Sequence, residues 1–184
     1  EILKDLESHT ADEVVKLVSQ RYKGLKLLRE TLGDPAFSYQ SLGGYELFLE
    51  KDKPLFEMCA QKMSHINNLL RPIFKADVFS MVPNRFKFSR IQNQYICNQF
   101  EGQIDTGKLM QGLIKKAHQK GVIILNNTRV ENYLEQPTKV AIQTPHFEFY
   151  SSKLIITTNG FAQQLMKANV QPARAQVLIT KPVK

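Results

Sequence analysis

Directly after a glycine stop at Gly121 the chain runs Val122-Ile123-Ile124-Leu125, four apolar residues without interruption. Such a run fits a strand buried on both faces, as in a parallel sheet. A parallel strand needs parallel neighbours, each reached through a long crossover. The sequence offers one clear helix–strand unit of this kind. The segments downstream of it are of another type. Thr128–Leu134, Lys139–Thr144, Phe147–Tyr150 and Lys153–Thr157 are short, with Val140 and Ile142 two residues apart and Phe147 and Phe149 alternating with polar residues. Turn signals at Pro137-Thr138, Thr144-Pro145-His146 and Ser151-Ser152 separate them, which predicts an antiparallel meander. A lone buried strand leading into a meander is an incomplete sheet.

The upstream half supplies helices and further strands. Thr10 and Glu13 stand at capping-box spacing, and Val14, Leu17, Val18, Tyr22, Leu25, Leu28 and Leu32 recur at helical steps until Gly33-Asp34-Pro35. This predicts a helix over 10–32. Phe37 to Leu49, around Gly43-Gly44, reads as two short strands and a turn. A second helix is expected from Pro54 to Leu70, stopped by Pro72, with Leu55, Met58, Cys59, Met63, Ile66 and Leu70 as its apolar stripe. Residues 77–82 and 91–98 read as strands. A third helix, 106–120, has Asp105 or Thr106 as cap and Gly121 as stop, and a short helix comes after Gly160. The expected fold is α+β: a mixed or antiparallel sheet with flanking helices, plus a helix–strand–meander portion. The chain opens on Glu1 and ends at Lys184 just past the strand-like run 176–180, so the sequence reads as a piece of something longer.

Composition excludes several classes. The chain has 184 residues, 42% hydrophobic and 23% charged, enough to bury roughly 70% of its unfolded surface without staples. No run approaches a bilayer span, and no secretory signal opens the chain. Two cysteines, Cys59 and Cys97, make neither a disulfide framework nor a zinc site and fit a reducing cytoplasm. The formal charge of +8 is uneven: 14 Lys and Arg against 12 Asp and Glu in residues 1–100, but 11 against 5 in 101–184. A basic half suits nucleic acid, anionic lipid or a phosphate-bearing cofactor, or is simply a solvated face. No Lys/Arg cluster interleaved with aromatics stands out, so nucleic acid is not an expected partner.

Familiar catalytic signatures are missing. His9, His65, His118 and His146 lie at no metal-ligand spacing, and neither a G-x-S-x-G elbow nor a phosphate-binding G-x-x-x-x-G-K-[ST] occurs. No metal site is expected. More informative is the order of elements from Glu101-Gly102-Gln103-Ile104-Asp105 through a helix, Gly121-Val122, the apolar run and Thr128-Arg129-Val130. A meander, Thr158-Asn159-Gly160, a short helix and Pro172-Ala173-Arg174-Ala175-Gln176 complete it.

That order resembles the central part of the D-amino-acid-oxidase-like FAD-dependent oxidoreductases, most closely over 101–180 and more loosely over 40–100. The resemblance implies that residues 1–34 form a helical segment and 35–100 a substrate-side α+β sheet. It makes 101–165 part of the FAD-binding lobe with its meander, and 166–184 a return strand to the substrate-side sheet. It implies that the backbone N–H and C=O of Val130, with Arg129 beside it, pair with the adenine; alternatively Val130 is an ordinary strand residue. Thr158, Asn159 and Gly160 stand at the family's turn close to the dinucleotide, where Gly permits close backbone approach; an ordinary strand-end turn would use Gly160 as well. Asn159 replaces the commoner Thr or Ala, and Ala175 a frequent Gly.

The family's G-x-G-x-x-G, which seats the pyrophosphate on a helix N-terminus, is not in this sequence. FAD is thus expected in the longer parent and not in the piece alone. The implied activity is oxidation of the C–N bond of an amino acid or related amine, with that small molecule as partner. Arg90, Arg174, Tyr45 and Tyr95 are candidates for holding a carboxylate, and no residue is assigned a catalytic role. The competing reading is a non-enzymatic basic α+β module that binds nucleic acid or a protein.

Overall fold

A computed structural model of the chain describes residues 1–167, 169–173 and 175–179. It divides into two compact units, residues 1–122 and 123–184. The fold is α+β, and both sheets are antiparallel.

The first unit opens with α1 (Ile2–Ser8) and α2 (Ala11–Leu32). Thr10 caps α2 with the full reciprocal box: its hydroxyl accepts from Glu13 N–H, and the Glu13 carboxylate accepts from Thr10 N–H at 2.9 Å. The helix stops where expected, at Gly33 with φ 79°. There Arg29 grips Asp34 through two hydrogen bonds of 2.8 and 2.7 Å. The first of the two strands expected in 37–49 is not formed. Asp34–Phe37 is instead a single 3-10 turn that buries Phe37, because Pro35 presets a turn conformation. One strand, β1 (Gly44–Glu46), remains.

Helix α3 (Lys53–Phe74) runs past Pro72 rather than ending before it. Pro72 sits in the last turn, where the lost N–H leaves only the carbonyl of exposed Asn68 without its helical donor, and water can serve it. The extra turn brings Ile73 and Phe74 against the core cluster of Ile66, Leu70 and Val78, with Ile2, Leu3, Leu6 and Val18 packed around it. Leu55 and Met58, at the other end of the expected stripe, stay exposed.

β2 (Phe79–Pro83) and β3 (Gln94–Asn98) complete a sheet in the order β1-β3-β2. Its register pairs Tyr45 with Cys97 and Met81 with Ile96. Asn67, the one buried polar side chain among the described residues, ties α3 to this sheet: Oδ1 accepts from Val78 and Phe79 N–H at 3.0 and 2.9 Å, and Nδ2 donates to Phe79 O at 2.8 Å. Helix α4 (Thr106–Gln119) is capped by Asp105, whose carboxylate accepts from Lys108 N–H at 3.0 Å.

The second unit is a meander in the order β4-β5-β6, formed by β4 (Asn132–Glu135), β5 (Val140–Gln143) and β6 (Glu148–Ser151). Ala141 and Ile142 on the central strand are its buried residues. The turns close at the expected places, through Gln136 N–H to Lys139 O and Thr144 N–H to Phe147 O. The expected strands at 122–125 and 153–157 are not formed, and Ile123 is 84% exposed. A strand needs a ladder partner, and no described residue of the second unit offers one to these segments. Gln176–Ile179 likewise carry no ladder, while Arg174 and residues 180–184 lie outside the described residues.

Candidate functional site

In the second unit a turn at Asn126-Asn127 folds the chain back on the apolar run. Asn127 takes a left-handed backbone, φ 54°, which Asn tolerates, and the Thr128 hydroxyl donates to Asn126 O at 3.1 Å. The reversal sets Thr128 and Val130 beside Ile123 and Leu125, and β6 adds Phe149. These five residues line an apolar depression of about 400 Å³. Glu131 N–H donates to Gln143 O at 2.9 Å, which carries the β4–β5 ladder one residue backward and stops short of Val130. Among the described residues the N–H and C=O of Val130 therefore have no partner. A flat heteroaromatic edge with one donor and one acceptor would satisfy both groups. Arg129 is exposed beside it.

Thr158, Asn159 and Gly160 do not line this depression. They begin a 3-10 turn, Asn159–Gln164, with Phe161 N–H donating to Thr158 O at 2.9 Å and Asn159 left-handed at φ 49°. A Cβ at Gly160 would sit 2.9 Å from Pro172 Cβ. The close approach this glycine permits is thus by the chain's own Pro172 segment, which Gln163 also holds through its side-chain bond to Val170 O at 2.8 Å. A larger depression of about 610 Å³, lined by residues 163–167 and Asn169, contains none of the expected site residues.

The carboxylate-holding candidates separate sharply. Tyr95 is fully buried on β3 and its hydroxyl is held by Asn84 Oδ1, so it is a core residue. Tyr45 on β1 accepts a hydrogen bond from Arg85, whose guanidinium lies 4.9 Å from the Tyr45 ring centre and 5.0 Å from that of Phe86. Arg90 is exposed, and Arg174 lies outside the described residues. Sequence reasoning misses Arg85. Its signal is the Arg-Phe pair after Pro83-Asn84, a stretch that by pattern reads only as a turn. Among the described residues Arg85 has no carboxylate partner.

No group of three His, Cys, Asp or Glu side chains suited to a metal comes together among the described residues. Burial, with Glu46 nearby, raises the Cys59 thiol above its ordinary value, which disfavours the nucleophilic thiolate. No helix among the described residues is long and apolar enough to cross a membrane.

The described residues thus combine helices with two antiparallel sheets, and the meander unit carries an apolar depression beside the unpaired backbone of Val130. The chain belongs to the FAD-dependent oxidoreductase family, whose model matches residues 3–184. Its fold is similar to the crystal structure of L-proline dehydrogenase from P. horikoshii, with a TM-score of 0.58 at 19% identity over 80% of this chain. The chain spans 39% of that protein's length. No curated protein matches the sequence significantly.

The residues present fit one end of the cofactor. Val130 offers a donor–acceptor pair, and Ile123, Leu125 and Phe149 offer apolar contact for a ring. Nothing in the sequence repeats the glycine-rich cradle that a pyrophosphate requires.

Proposed function

We propose that this chain is the part of an FAD-dependent oxidoreductase that receives the adenine end of the dinucleotide and contributes one wall of a substrate site. The enzyme would oxidise the C–N bond of an amino acid or related amine. FAD, when bound, supplies the two-electron acceptor for that oxidation. The observation that carries the reading is the unpaired N–H and C=O of Val130 at the rim of an apolar depression. In this reading Arg129 and the Thr158–Gly160 turn flank the cofactor, and Arg85, braced on Tyr45, offers its free donors to a substrate carboxylate. The division into a helical segment (1–34), a substrate-side sheet (35–100), an FAD-side lobe (101–165) and a return strand (166–184) belongs to the same proposal. So does a cytoplasmic location, which Cys59 and Cys97 as free thiols support.

The test is a chain lengthened to include an upstream strand–G-x-G-x-x-G–helix unit, purified and examined for bound flavin. It should be yellow and should turn over amino-acid or amine substrates. Val130→Pro, which deletes the N–H, should lower flavin occupancy while Val130→Ile retains it. A lengthened, folded chain that is colourless and cannot be loaded with FAD would sink the proposal. Arg85→Lys should raise KM for a carboxylate substrate more than it lowers kcat, since Lys cannot make the bidentate contact.

A further inference from the structure

Contrary to the expectation drawn from sequence, one loop does interleave cations with rings. Between β2 and β3 the chain reads Arg85-Phe86-Lys87-Phe88-Ser89-Arg90, with no acidic residue from Asn84 to Asn93. Asn84 braces the loop from within. Its N–H donates to Asn93 O and its Nδ2 to Phe88 O, both at 2.9 Å, and its Oδ1 accepts from Phe88 N–H at 3.3 Å and from the Tyr95 hydroxyl. Lys87 and Arg90 take left-handed backbone, φ 56° and 61°. Phe86 and Phe88 remain 45% and 51% exposed. At the loop's base Leu49, also exposed, pairs with Ile91, and Glu50 N–H donates to Arg90 O. Glu50 is the acidic residue on this backbone pairing. Among the described residues it makes no ion pair with Arg90, and none of the three cations has a carboxylate partner.

We propose that this loop docks the protein peripherally on an anionic phospholipid surface, Phe86 and Phe88 entering the headgroup region and Lys87 and Arg90 meeting lipid phosphates. The inference does not depend on the flavin reading. Two cations without carboxylate partners, Lys87 and Arg90, beside two exposed apolar rings match the two attractions such a surface offers, charge and interfacial burial. A single-stranded nucleic acid is the less suitable occupant, because stacking a base needs a free ring face. Phe86 already has Tyr95 stacked on it at 5.7 Å and 21°, and the Arg85 guanidinium over it.

The experiment is co-sedimentation of the 184-residue chain with phosphatidylcholine vesicles, with and without phosphatidylglycerol. The chain should pellet with the anionic vesicles only and be released by raised salt. Lys87→Asn and Arg90→Asn keep residues that tolerate left-handed backbone, so the loop should hold its shape. Each should weaken binding about five-fold, the effect of one cation near an anionic surface. Phe88→Ser should weaken it as well, with circular dichroism unchanged. Failure to bind, equal binding to neutral vesicles, or indifference to the Lys87 and Arg90 variants would overturn the proposal. So would preferential binding of a single-stranded oligonucleotide through these same residues.

Discussion

Asn67 shows how much one side chain can organise. It is buried, and its amide satisfies the N–H groups of Val78 and Phe79 and the carbonyl of Phe79. Asn67→Ala would leave two donors and one acceptor without partners at the edge of the core, so it should cost about 1–3 kcal/mol. A denaturant titration should show this as a lower midpoint at unchanged slope; a midpoint within error of the parent would mean that water replaces the amide. The surface pair at the end of α2 acts through pH instead. The hydrogen bonds from Arg29 hold the Asp34 carboxyl below its ordinary value. A carboxylate depressed in the folded state contributes stability above its unfolded pKa and loses it as pH falls through the folded one. The stability difference between the parent and Asp34→Asn should therefore be present at neutral pH and shrink on acidification. A difference that stays constant into acid would contradict the ion pair. At Gly160, Ala would bring a methyl within 2.9 Å of the stiff Pro172 ring. Gly160→Ala should destabilise the second unit by about 1–3 kcal/mol, the usual effect of overpacking, read from faster amide exchange in residues 159–164.

At the scale of elements, local chemistry was legible and long-range pairing was not. The capping box of Thr10 and Glu13, the Gly33 stop, the Asp105 cap and the meander turns each depend on residues within four positions, and each formed where the sequence placed it. Pro72 did not end α3, because packing of the half-buried Ile73 and Phe74 against the core cluster outweighs one missing bond in a solvated last turn. Val122–Leu125 has the composition of a buried strand yet forms none, because a strand is a property of two segments and composition reports one. The site divided in the same way. Val130 lines an apolar depression and keeps its backbone groups unpaired, whereas Tyr95, an equally plausible polar candidate, is consumed by the core. Arg85 acquires its setting only through Tyr45, forty residues away in sequence, and no periodicity announces such a pair.

For the molecule as a whole, the telling quantity is apolar backbone without a ladder. Ile123, Ile124 and Leu125 are exposed, and their N–H groups make no backbone hydrogen bond among the described residues. An edge of that kind favours pairing with any available strand. The chain spans 39% of a structural neighbour that shares its fold, and chain outside these 184 residues is where a parallel partner would be sought. The run's uninterrupted apolar character is what a strand covered on both faces requires. In the 184-residue chain the amides of Ile123, Ile124 and Leu125 should exchange with solvent quickly, near the unfolded limit. In a lengthened chain carrying the upstream nucleotide-binding unit they should slow by orders of magnitude, as core strands do, and hydrogen exchange read by mass spectrometry over 119–126 measures both. If these amides stay unprotected in a lengthened chain that holds flavin, the run is not a sheet strand, and its apolar side chains serve the depression beside Val130 alone.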